Sequence, residues 1–108
     1  MNVFHIVSIQ AWDAAATVGE YRPGSLAAEG FIHFSYAEQV AATANRYYSS
    51  LDGLQVLEVD PDRLGTELVE EPSPATGELF PHLYAPLPTT AVVAVHPLRR
   101  NDTGDYTF

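Results

Sequence analysis

The stretch Gly30-Phe31-Ile32-His33-Phe34-Ser35-Tyr36-Ala37-Glu38, running on through Gln39 to Tyr48, places a strand directly before a helix. Phe31 to Phe34 is short, aromatic and β-branched, bounded by Gly30, and reads as a strand. Ser35-Tyr36-Ala37-Glu38 has the spacing of a capping box, a serine followed three residues later by a glutamate. It opens a helix to about Tyr48, whose apolar stripe is Ala37, Val40, Ala41, Ala44 and Tyr48, spaced three and four apart.

Upstream, Asn2 to Val7 reads as a strand with Phe4 and Ile6 on one face and Val3, His5 and Val7 on the other. Ser8 suits the N-cap of a helix from Ile9 to Val18, and Gly19 suits its left-handed end. Glu20 to Leu26 reads as a loop with a Pro23-Gly24 turn. Downstream, Asp52-Gly53 turns the chain into a strand, Leu54 to Val59, closed by Asp60-Pro61. Thr66 to Glu71 is a further strand of poor alternation, and Glu71 to Glu78 is a turn-rich, mobile connection. Phe80 to Pro88 carries three prolines and is expected to be extended but largely unpaired. Ala91 to His96 is the last strand. Helices early and strands late predict an α+β fold: one domain over residues 1–98, with small split antiparallel sheets flanked by two helices, and a loose polar tail at 99–108.

Charge narrows the functions. Five arginines and no lysine face fourteen carboxylates, a formal −9, so no cationic stripe exists for a long nucleic acid. Schiff-base chemistry is excluded with lysine, and disulfides and thiolate metal sites with cysteine. A ligand with one or two phosphates stays compatible, held by backbone N–H groups and Arg22. No basic, apolar leader stands at residues 1–20 and no apolar run is long enough to span a bilayer, so a cytoplasmic protein without a membrane partner is expected.

The polar chemistry gathers on His5, His33 and His82, each embedded in an apolar stretch. Each has a plain reading as a half-buried core histidine with one hydrogen bond; all three together suggest a site. His96, before Pro97, reads as structural. Ser35 reads first as a helix cap, although a helix N-terminus also offers N–H groups to an anion. Trp12, Phe34, Tyr47 and Tyr48 read as packing. Tyr21 and Tyr84, expected on loops, could stack on a ligand ring. A carboxylate among Glu70, Glu71 and Glu78 could act as acid or base beside the histidines. No HxH, HxxxH or HExxH spacing is present, so no metal is expected.

The segments Phe4-His5-Ile6, Tyr21 through Ser25-Leu26, Glu29 through Ser35 with Gln39, Glu71, and Phe80-Pro81-His82-Leu83-Tyr84-Ala85-Pro86-Leu87 resemble, in order and over nearly the whole chain, the bacterial family known as domain of unknown function 952. Ala85 departs from the glycine usual there, and its methyl narrows backbone approach. The resemblance implies the ADP-ribosyltransferase-like fold, a superfamily of NAD-dependent enzymes that also includes an RNA 2′-phosphotransferase. It implies that His5 on the first strand holds a ribose, that His33 lies across the cleft, and that Glu71 is the carboxylate near the cleaved N-glycosidic bond. On this expectation His33 and His82 orient a phosphate or acceptor, Tyr21 or Tyr84 stacks on a ring, and NAD is a substrate with no tightly bound cofactor. The competing readings are a module that senses ADP-ribose without chemistry, and a fold-related enzyme for an unrelated metabolite.

Overall fold

The computed structural model describes all 108 residues. The first strand, β1 (Val3–Ser8), runs antiparallel to β4 (Leu54–Val59), which in turn pairs with β8 (Val92–Pro97). The register sets Val3 opposite Val59 and His5 opposite Leu57. Since opposed residues in a ladder share a face, Val3, His5 and Val7 turn inward with Leu57 and Val59, as the alternation predicts. That face packs on Ile32, Phe34, Leu83 and Leu87, the larger of two cores. The other face, bearing Phe4, Ile6 and Val56, is covered by Val40 and Ala44 of a helix and by Leu98 and Tyr106. Covered on both sides, β4 carries buried apolar residues on both faces, Val56 on one and Leu57 and Val59 on the other.

Helix α1 (Ile9–Val18) starts and stops where its sequence says. Ser8 Oγ accepts the Ala11 N–H at 3.1 Å, and Gly19 adopts φ +93°, a conformation glycine takes without Cβ strain. Then come β2 (Glu20–Tyr21), α2 (Gly24–Glu29), β3 (Ile32–His33) and α3 (Val40–Tyr47), the last led by a 3-10 turn at Ala37–Gln39. Strands β5 (Val69–Pro72) and β6 (Leu79–Leu83) complete a second sheet, ordered β3-β6-β5. Strand β7 (Leu87–Pro88) pairs with β2, and β9 (Arg99–Arg100) with β10 (Tyr106–Thr107). Every pairing is antiparallel. The chain is a single α+β domain, and none of its helices is long and apolar enough to cross a membrane.

Six expectations are corrected. There are three α-helices rather than two: Pro23-Gly24 is not a free turn but the start of α2, with Pro23 extended at the N-cap. Proline suits a helix start as well as a turn, and six residues are too few to show a periodicity. The cap of the next helical segment lies one residue later than Ser35, because Ser35 is held by β1: Phe4 N–H donates to Ser35 O at 2.8 Å, and Ser35 N–H to Phe4 O at 2.7 Å. Gln39, not Glu38, then closes the box, its Oε1 accepting the Tyr36 N–H at 2.9 Å.

The proline-rich segment is not unpaired, since β6 is the centre of the second sheet. Pro81 is tolerated because its carbonyl accepts the Phe34 N–H at 2.9 Å while its missing N–H leaves that pair half made. The β3 ladder therefore stops at His33, short of the expected Phe34. The connection after Glu71 is an ordered hairpin, with Ser73 N–H to Glu78 O at 2.8 Å and Gly77 N–H to Ser73 O at 2.7 Å. The tail at 99–108 is a second hairpin, anchored by the buried Tyr106 ring beneath the Arg100 guanidinium, 3.9 Å from its centroid.

Candidate functional site

The register of the second sheet decides what its open face carries. His33 lies opposite His82, Val69 opposite His82 on the other side, and Glu71 opposite Phe80. Alternation along β6 sends Pro81 and Leu83 toward the core and Phe80 and His82 to the other face. His33, His82, Phe80 and Glu71 thus share one face, and they wall a cavity of about 880 Å³. His5, Tyr21 and Ser35 form part of its lining, as do Tyr47 and Tyr48 at the end of α3.

His82 is nearly buried, and its ring stacks on Phe31 at 4.1 Å and 17°. Its Nδ1 lies 2.8 Å from Glu71 Oε1. An ionised carboxylate can only accept, so Nδ1 carries the proton and Nε2 keeps a lone pair with no protein partner. Tyr84 donates to the same Glu71 oxygen at 2.5 Å. The Tyr84 hydroxyl, and then the His82 donor, hold the Glu71 carboxyl below its usual range; the same bond raises the Tyr84 phenol. Glu71 Oε2 is left unbonded. The His33 ring stands 5.1 Å from that of His82, with its Nε2 3.2 Å from Glu29 Oε2. Two imidazoles, each backed by a carboxylate, therefore meet at one wall.

His5 plays a different part. Its Nδ1 donates to the His33 carbonyl at 2.6 Å, which fixes Nε2 as the acceptor of the Tyr21 hydroxyl at 2.9 Å. Burial pushes its pKa down to about 4, against the opposing pull of the His33 carbonyl. Burial likewise lifts the Tyr21 phenol to about 12. With both nitrogens engaged, His5 ties β1, β2 and β3 together behind the cavity. His5 also lines the cavity, where the resemblance places a ribose, but both its ring nitrogens are engaged within the protein.

His5, His33, His82, Glu71, Tyr21 and Ser35 thus come together, and two expected residues do not. Tyr84 lies outside the lining and reaches the site through its hydroxyl on Glu71 and its ring against Phe31, centroids 5.2 Å apart. Arg22 lies on the far side of Tyr21 and is bonded to Glu20 at 2.5 Å. Tyr21 is in a strand and hydrogen-bonded, not a free loop ring. Ser35 lines the cavity, but its N–H is spent on Phe4 O and the next N–H, that of Tyr36, on Gln39 Oε1, so neither is offered to an anion. His96 lies elsewhere, with Nε2 2.7 Å from Glu58 Oε1. No three of the histidine, aspartate and glutamate side chains are grouped to hold a metal ion.

Sequence reasoning missed Glu29, Phe31 and Phe80, and gave Tyr47 and Tyr48 to packing. Glu29 stands four residues before His33, a spacing that signals a pair only inside a helix. Here α2 ends between them, so the signal was absent.

The crystal structure of protein CC0527 from Caulobacter crescentus is similar at 33% identity, covering 99% of this chain and 94% of that one with a TM-score of 0.86. A solution NMR structure of CC0527 is also 33% identical, over 96% of this chain and 90% of that one, with a TM-score of 0.81. No curated protein matches. The family model described as protein of unknown function (DUF952) covers residues 6–95, and the chain belongs to that family.

Proposed function

We propose that the chain is a small ADP-ribosyltransferase-like enzyme acting on NAD or an ADP-ribose-like nucleotide, cleaving the N-glycosidic bond by hydrolysis or transfer. The observation that carries this reading is the Tyr84–Glu71–His82 chain at the wall of a cavity sized for a small ligand. Cleavage passes through an oxocarbenium-like sugar. The free Oε2 of an ionised Glu71 is the group to stabilise that charge. The C1′–N bond breaks and its electron pair stays on the ring nitrogen, so nicotinamide leaves neutral. The acceptor oxygen, from water or a hydroxyl, bonds C1′ and gives its proton to His82 Nε2. His33, anchored on Glu29, orients the acceptor, and Tyr47 and Phe80 are the lining aromatics that would stack on the leaving ring.

The test is nicotinamide release from NAD, with calorimetry for binding. His82→Ala should lower turnover by ~10²–10⁴-fold, the usual worth of a general base, and Glu71→Gln should lower it as well. Binding without turnover by the wild type would leave the sensing module. No binding of NAD, ADP-ribose or the pyridinium riboside that is their reacting end at millimolar concentration would overturn the proposal.

A further inference from the structure

Resting on that reading, we infer that the cleft selects a cationic, phosphate-free N-riboside, such as a pyridinium riboside, over a phosphate-bearing dinucleotide. The charge of the lining carries the argument. Its permanently ionisable members are Glu29 and Glu71, and no arginine is among them. The chain has no lysine to supply a cation from a loop.

The arginines are engaged elsewhere or lie outside the cavity. Arg22 is bonded to Glu20, and Arg63 Nε lies 3.5 Å from Asp60. Arg100 is held by Asp52 and by the Ser49, Leu51 and Gly104 carbonyls. No glycine-rich cradle replaces them, since no glycine lines the cavity, and the N–H groups of Ser35 and Tyr36 are spent on Phe4 and Gln39. Nor do the histidines. His33 and His82 each stand against their own carboxylate, so a proton on either makes a neutral pair rather than an anion site.

The same features suit a cation. Glu71 keeps an unbonded oxygen, and Phe80 and Tyr47 are among the lining residues, aromatic rings of the kind that attract positive charge. The cationic ring of the substrate, and then the oxocarbenium that replaces it, meet negative charge throughout the reaction.

Calorimetry and nicotinamide release with three probes test this: nicotinamide riboside, nicotinamide mononucleotide and NAD. The riboside should bind roughly tenfold or more tightly than either phosphate-bearing probe, the order expected of a few unit charges at contact range. Its uncharged dihydro form should bind more weakly, and salt should weaken the riboside. Glu29→Gln should weaken the riboside and narrow its lead over the mononucleotide. A mononucleotide or NAD that binds as well as the riboside, or a dihydro form that matches it, overturns this inference while leaving the proposed enzyme standing. Failure of all the probes to bind at millimolar concentration overturns both.

Discussion

Lowering the pH should destabilise this protein well above the range where carboxylates titrate, and His5 should be the cause. Its imidazole is buried, and the folded pKa is about 4 against an ordinary 6.5. The folded state refuses a proton that the unfolded chain accepts, so between these values the unfolded state binds more protons. Stability is then full above about pH 6.5 and falls as the pH drops toward about 4, with a limiting slope of about 1.4 kcal/mol per pH unit. Integrated from about pH 7 to about pH 4.5, the loss is about 2 kcal/mol. Glu58 and Glu71 have carboxyls held below their usual range, so their contributions are lost only at lower pH. The assay is urea unfolding followed by Trp12 fluorescence at several pH values, on the wild type and on His5→Gln. The variant should cost ~1–3 kcal/mol at neutral pH, from the lost partners of the His33 carbonyl and the Tyr21 hydroxyl. Its stability should fall by about 2 kcal/mol less than that of the wild type across the window. Curves that stay parallel within about 0.5 kcal/mol would refute the reasoning, since a uniform loss carries no proton linkage. Should the variant fail to fold, NMR titration of the wild type decides instead: a His5 imidazole that titrates near 6.5 sinks the argument.

Other expectations follow from single contacts. Tyr84→Phe should let the Glu71 carboxyl drift back up toward its usual range, read by NMR titration; an unmoved value would mean that the phenol does not hold it. Tyr106→Ala should cost ~3–5 kcal/mol in chemical unfolding, as for other buried aromatics, because its ring is 4% exposed and its backbone is clasped by Asn45; a cost near zero would restore the loose tail. Gly30→Ala should cost about 1–2 kcal/mol through its φ of +90°, with no steric clash added.

The parts of the fold legible in the sequence are those whose signals are local. Ser8 and Gly19 bracket α1 by side-chain chemistry and by φ, and the alternation of β1 is set by the faces of one strand. What was not legible depends on partners remote in the chain. Ser35 and Glu38 satisfy the capping pattern, yet the Phe4 backbone claims Ser35 and shifts the cap. Tyr106 reads as tail until α3 and the outer face of the first sheet give its ring a place to go.

The site divides the same way. Histidine inside an apolar stretch shows that His33 and His82 need a reason, but only the pairing of β3 with β6 sets them face to face. The pairing of β5 with β6 then brings in Glu71, whose neighbours in sequence point elsewhere. Pro81 links fold and site. By leaving its pair with Phe34 half made, it ends β3 at His33 and releases the chain to bridge from Ser35 to β1. The bridge sets the His33 carbonyl beside His5, so the buried imidazole that supports the cavity is placed by the ladder that the proline cuts short. A residue at position 81 with its own N–H would complete the Phe34 pair, so Pro81→Ala is expected to lengthen β3 by a residue. Amide protection of the variant would register it, as a new slow proton at position 81 and altered shifts at His5. A variant with neither would show that the bridge at Ser35, not the proline, ends the strand.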